Sequence, residues 1–157
     1  MINIRQADGG DAEILAELNR YVQELHITHM PQIFKPVDTG AIAEWFRSMM
    51  ENPAVRAWIA EAEGLAAGYV LAVTYDRPES PFCSRRVYCE IDQISVSPEF
   101  RKRGLAKALV ERVLAEARSS GIRDIELNSW SFNTEAHDTF RALGFLPLIV
   151  RFSRTSF

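Results

Sequence analysis

The run Tyr69-Val70-Leu71-Ala72-Val73 is apolar at every position. Successive side chains of a β-strand point to opposite faces, so a run of this kind needs cover on both sides. It predicts a central strand in a sheet that carries helices on its two faces, which is an α/β layered arrangement. Few folds meet that demand in 157 residues, a length that suits one domain with one substantial body of buried side chains.

The flanking sequence supplies the other layers. Residues 2–5 alternate as a short strand. Asp8 or Asp11 can cap a first helix, in which Ile14, Leu15, Leu18, Val22 and Leu25 recur at helical spacing. Pro31 and Pro36 interrupt the chain before a second helix over 41–50, capped by Asp38 or Thr39 and stopped at Asn52-Pro53. Strands over 55–61 and 68–75 form an antiparallel hairpin around Glu63-Gly64. A strand over 87–96 ends at Ser97-Pro98, and the strongest helix follows over 105–119, with Leu105, Leu109, Val113 and Ala117 on one stripe. A strand over 122–130, a helix over 133–143 closed by Gly144 and a last strand over 148–154 complete the order. The expectation is one domain spanning 1–157, with a right-handed crossover around the helix that begins at Leu105.

A net charge of −3 argues against a dedicated nucleic-acid binder, and no apolar run reaches the length of a membrane span. The first residues carry no signal-peptide pattern. Cys83 and Cys89 lack CxxC spacing and read as reduced thiols of a cytoplasmic protein. His26 and His29 stand three residues apart with no evident third ligand, so no metal site is expected.

The chemistry concentrates in the turn Arg101-Lys102-Arg103-Gly104-Leu105-Ala106. A strand feeding into a helix leaves the first helical N–H groups unpaired, and the helix dipole adds positive potential there. Gly104 and Ala106 keep the approach open, and three basic side chains surround it. The arrangement is a phosphate cradle. Neither the GxxxxGK[ST] spacing of a P-loop nor the GxGxxG of a dinucleotide fold is present.

This turn resembles the (Arg/Gln)-x-x-Gly-x-(Gly/Ala) loop of the GNAT superfamily of N-acetyltransferases. Ile94-Ser95-Val96-Ser97-Pro98 before it, and Asn133-Thr134-Glu135-Ala136, Phe140 and Leu143-Gly144-Phe145 after it, are similar to that family's further motifs. The resemblance follows the element order along the whole chain, though its specific residues lie between about 90 and 145. It implies a GNAT-like single domain, with a mixed central sheet of six to seven strands flanked by four helices. It implies acetyl-CoA as cosubstrate, with the backbone of Arg101, Lys102, Arg103, Gly104, Leu105 and Ala106 on the pyrophosphate and that of Ile94 and Val96 along the pantetheine arm. Asn133 matches the family's asparagine near the cofactor and can also cap the last helix.

The implied reaction transfers an acetyl group to a primary amine by direct attack, which requires the amine to lose a proton to a base. Strand alternation sets Glu90, Asp92, Ile94 and Val96 on one face. Glu90 lies eleven residues before Arg101, the place of the base in histone-type members, and Asp92 nine before it, the place of the acid in polyamine-type members. Glu90 is the preferred base and Asp92 the alternative, unless both are solvated acids; a bulge could change which one faces inward. Phe140 departs from the family, many of whose members carry a proton-donating tyrosine there. His137, on the same helix face, is a substitute or a plain surface histidine.

The resemblance implies that the first two helices and their connection shape the acceptor pocket. Trp45, Phe34, His26 and His29 are then expected to line it or to pack internally, and Asn128 and Trp130 to face the acceptor or the core. The acceptor is a small-molecule amine or an amine on a protein. By resemblance, residues 148–152 are available to pair two copies. Phe140 keeps a second reading open, a CoA-binding sensor without catalysis.

Overall fold

The computed structural model describes residues 1–156. Five strands form one sheet in sequence order: β1 (Ile2–Gln6), β2 (Val55–Ala62), β3 (Leu65–Arg77), β4 (Arg86–Val96) and β5 (Asp124–Leu127). The pairs from β1 to β4 are antiparallel, and β4 with β5 is parallel. Four helices accompany them: α1 (Ala12–His29), α2 (Thr39–Met50), α3 (Leu105–Ser119) and α4 (Thr134–Ala142).

β3 is the middle strand and is covered on both faces, as its apolar run demands. Tyr69, Leu71 and Val73 pack with Leu15, Leu18 and Phe46 on the α1–α2 side. Val70 and Ala72 pack with Leu105, Leu109, Val110 and Val113 of α3 on the other. Fully burying a side chain of this size contributes about 1.5–3 kcal/mol, so these two layers hold the sheet between them. Gly68 lets β3 and β4 approach closely, because a Cβ there would sit 2.8 Å from the Ser95 carbonyl oxygen.

The caps resolve as follows. Asp38 accepts from the Ala41 N–H at 3.0 Å and starts α2. Asp8 caps the short 3-10 turn Gly9–Asp11, while Asp11, which opens α1, spends its carboxylate on Arg5 and on the Asp8 N–H. No helix among the described residues is long and apolar enough to cross a membrane.

Two expectations are corrected. The sheet has five strands rather than six to seven, because residues 148–154 form no strand. A strand exists only through pairing, and this segment lies against no neighbouring edge: Leu148, Ile149, Val150 and Phe152 are 69%, 81%, 68% and 90% exposed. The strand expected over 122–130 shortens to Asp124–Leu127 because it leaves β4 at that point.

The second correction concerns the faces of β4. Leu71 pairs with Gln93 but Ala72 pairs with Ile91, so Asp92 is the extra residue of a β-bulge. Alternation resets there. Cys89 and Ile91 share the α3 face with Ile94 and Val96. Gln93 and Ser95 turn to α1, where their side chains bond Asn19 and Leu18. Glu90 therefore does not share a face with Ile94 and Val96, contrary to uninterrupted alternation.

Candidate active site

β4 and β5 pair only from Tyr88 with Asp124 to Ile91 with Leu127, and then part. Beyond that point β4 keeps β3 on one side and, among the described residues, has no strand on the other. The Ser97 N–H donates to the Ala67 carbonyl at 2.8 Å, on the β3 side. Strand alternation then turns the backbone groups of Val96 and Ile94 toward the gap that β5 has left. The Val96 carbonyl accepts from Arg101 Nε at 3.2 Å, which agrees with that direction.

The gap leads to the turn before α3. Lys102 and Gly104 both take left-handed backbone, at φ +61° and +85°. Alternating left-handed residues gather successive N–H groups into a concave nest that suits an anion. No side chain caps α3, so its first donors stay available. A Cβ on Gly104 would meet nothing within 4 Å, which leaves that approach clear. The basic side chains differ in availability: Arg103 is held by Glu63 at 2.7 Å and lies over the Phe100 ring, and Arg101 holds Val96.

A cavity of about 400 Å³ opens beside this turn, lined by Tyr21 and Leu25 of α1, by Arg101, and by Phe132, Asn133 and Glu135. Asn133 stands at the N-cap of α4, yet its side chain makes no cap hydrogen bond there. Its amide is thus free to face the cavity it lines. These features fit a long phosphate-bearing ligand: a nest for the anion, free strand backbone on the chain before it, and a cavity that reaches the turn at Arg101.

The acids lie upstream. Glu90 is half-buried and Asp92 is exposed at the bulge. Burial first, then the neighbouring Asp92 and Glu126 carboxylates, raise the Glu90 carboxyl above its ordinary value, with Arg77 and Asn128 pulling the other way. Loss of hydration at the carboxyl also raises Asp92. Neither makes an ion pair among the described residues, whereas Glu126 is held by Arg86. Two carboxyls without ion-pair partners and with raised pKa hold a proton more readily than ordinary carboxylates do.

Residues 19–145 match the acetyltransferase (GNAT) family. The chain belongs to that family. Among curated relatives, N-acetyltransferase family 8 member 2 of Rattus norvegicus is 34% identical over 88 residues, covering 56% of this chain and 37% of the relative. The chain spans less than half the length of the curated relatives it matches. A mutant of the BH1408 protein of Bacillus halodurans has the same fold, with a TM-score of 0.93 at 20% identity over 99% of both chains. An aminoglycoside N-acetyltransferase solved in complex with CoA superposes with a TM-score of 0.77 at 24% identity, over 99% of this chain and 95% of that one.

Other expected residues of this GNAT chain fall into place differently. His137 Nε2 lies 3.1 Å from Ser129 Oγ and 3.0 Å from the Trp130 carbonyl, so it pins the loop after β5. Phe140 packs on Phe145 at 6.2 Å between ring centres. His29 stacks on Phe132 at 4.4 Å, and His26 packs on Phe34 and Phe132. Trp130 joins the same cluster through Phe34 and Phe132, which closes the α1 end over the loop that carries Asn133. Trp45 lies apart, against Phe46. Sequence reasoning missed Tyr21 and Phe132 as cavity walls; the helical spacing of Tyr21 and the nearness of Phe132 to Asn133 were the available signals.

Proposed function

We propose that this GNAT domain transfers an acetyl group from acetyl-CoA to a primary amine, with Glu90 as the base and Asp92 as its alternative. The observation that carries the reading is the nest at 101–106, tied through Arg101 to the Val96 carbonyl at the unpaired end of β4, with Glu90 and Asp92 upstream on the same strand. Bound acetyl-CoA would supply an activated acyl group on a thiol that can leave. The backbone of Arg101 to Ala106 would hold its pyrophosphate, Ile94 and Val96 its amide-bearing arm, and Asn133 its flank. The relatives are named as N-acetyltransferases, and a neighbour of like fold was solved with CoA.

Glu90, ionised, takes the proton of the incoming ammonium, so that the neutral nitrogen can form the new N–C bond while the C–S bond breaks. Attack is direct. Burial and the nearby Glu90 push the Cys89 thiol up to about 11, so it is protonated at neutral pH and unsuited to a covalent route. The acceptor is a small-molecule amine or a protein amine, and two copies of the chain pair through residues 148–152. Phe140, which has no proton to give, is the one feature favouring a CoA sensor.

Single-turnover release of free thiol from acetyl-CoA against a panel of amines tests the reading. Acceptor-dependent release supports it; CoA binding with no release from any amine supports the sensor. Glu90→Gln should lower kcat at neutral pH by about a hundredfold, the usual worth of a positioned base, with partial recovery as pH rises. In the wild type kcat/KM should fall as pH drops through the raised carboxyl pKa. Stability should move oppositely: within that window the folded chain holds more protons than the unfolded chain, so stability falls as pH rises through it. A pH–rate profile unchanged by Glu90→Gln would transfer the role to Asp92.

A further inference from the structure

Two buried polar side chains, Tyr69 and Asn19, meet the half-buried Gln93 beside the bulge. The Tyr69 hydroxyl donates to Gln93 Oε1 at 2.7 Å and accepts from Asn19 Nδ2 at 2.8 Å, while Asn19 also reaches Gln93 Oε1 at 3.4 Å. Tyr69 is fully buried and Asn19 is 8% exposed. Their surroundings are apolar: Leu15, Phe46 and Leu71 pack in the same layer. Apolar residues of similar shape would fill this place without the need to satisfy every donor and acceptor, so packing alone does not explain the trio.

Its location does. Gln93 is the residue that follows the extra residue of the bulge, and Tyr69 stands on β3 opposite Ser95, one diagonal step from Gln93. Ser95 Oγ donates to the Leu18 carbonyl at 2.9 Å, so two consecutive α1 residues grip both inward side chains of β4 just past the bulge. A one-residue slip of β4 against β3 would exchange its faces, and this grip opposes it. We infer that Asn19, Tyr69 and Gln93 are positioning residues that lock the bulge at Asp92, and so fix both the acid pair on one side and the Ile94–Val96 backbone on the other. The charge of Asp92 reaches the buried Tyr69 hydroxyl, in keeping with that closeness. The remaining groups around the acid pair are Tyr75 and Arg77 of β3, Glu126 of β5 and Asn128 beyond it.

The inference rests on the proposed transferase reading for its catalytic consequence, and on geometry alone for the lock. Tyr69→Phe removes one hydroxyl from the trio, and Gln93→Met removes its shared acceptor. For both variants the expected result is a fall in kcat of about ten- to a hundredfold, the scale of an ångström of misplacement. The Kd for CoA should rise less than kcat falls, because the nest at 101–106 is untouched and only the Ile94–Val96 backbone loosens. Carbon-detected NMR titration of the side-chain carboxyls should show the Glu90 and Asp92 midpoints moving in each variant, whether or not the wild type turns over. Lowered melting temperature with unmoved carboxyl midpoints would overturn the lock. Variants that show these shifts, beside a wild type that acetylates no amine, would sink the transferase reading and leave the lock standing. Should Gln93→Met fail to fold, Tyr69→Phe decides alone.

Discussion

Lys102 carries a side chain at φ +61°, a conformation that costs a non-glycine residue about 1–2 kcal/mol, and Gly104 follows at +85°. Strain of that kind persists where the surrounding structure gains from it, and a nest of backbone donors is the gain proposed here. Gly104→Glu tests the point directly. Nothing lies within 4 Å of the added Cβ, so the fold should survive with only backbone strain, a loss of about 2–4 °C per kcal/mol in a chain of this length. CoA binding measured by calorimetry should vanish, because the new carboxylate would stand in the proposed anion site. Unchanged affinity in the folded variant would remove the nest from the cofactor site. The acids belong to the same scale. Which of Glu90 and Asp92 matters turns on a single inserted residue, and the pH dependence of Glu90→Gln and Asp92→Asn separates them.

Elements differ in how much of themselves is written locally. The turn at 101–106 was legible because its chemistry is contained in six adjacent residues and a following helix. β3 was legible because an apolar run fixes its place in the sheet. The bulge in β4 was not, since it exists only in the register between two strands and leaves no mark in the residue pattern of either. Tyr69 was read as core, which it is; its hydroxyl acquires meaning only when Asn19 and Gln93 are brought to it from fifty and twenty-four residues away. The strand expected at 148–154 shows the converse limit, a segment with strand propensity that pairs with no strand among the described residues. α4 and α3 differ in anchoring. α3 buries Leu105, Leu109, Val110, Val113 and Ala117, whereas α4 has no buried residue. Hydrogen exchange should therefore be fast across α4 in the free chain and slow in α3. Saturating CoA should slow α4, whose first turn lines the cavity. Equal protection of α4 with and without CoA would place the ligand elsewhere.

At the scale of the whole molecule the sheet separates two apolar layers, and one further apolar surface has no cover. Leu146, Leu148, Ile149, Val150 and Phe152 are all exposed within seven residues. Exposed apolar side chains grouped this closely along the chain are a candidate contact surface. The expected occupant is a second copy, and light scattering on the eluting protein should give twice the chain mass, with Val150→Asp reverting it to monomer. A monomeric wild type at micromolar concentration would exclude pairing through this segment. A last consequence follows from how short α4 is. One end of it borders the cavity at Asn133 to Glu135, and the other closes through the Phe145 N–H on the Phe140 carbonyl, directly before the exposed segment. Whatever orders one end of so lightly anchored a helix also orders the other, and such coupling is reciprocal. Dilution of the protein should then weaken its hold on CoA while the fold is still intact, and added CoA should draw separated copies back together.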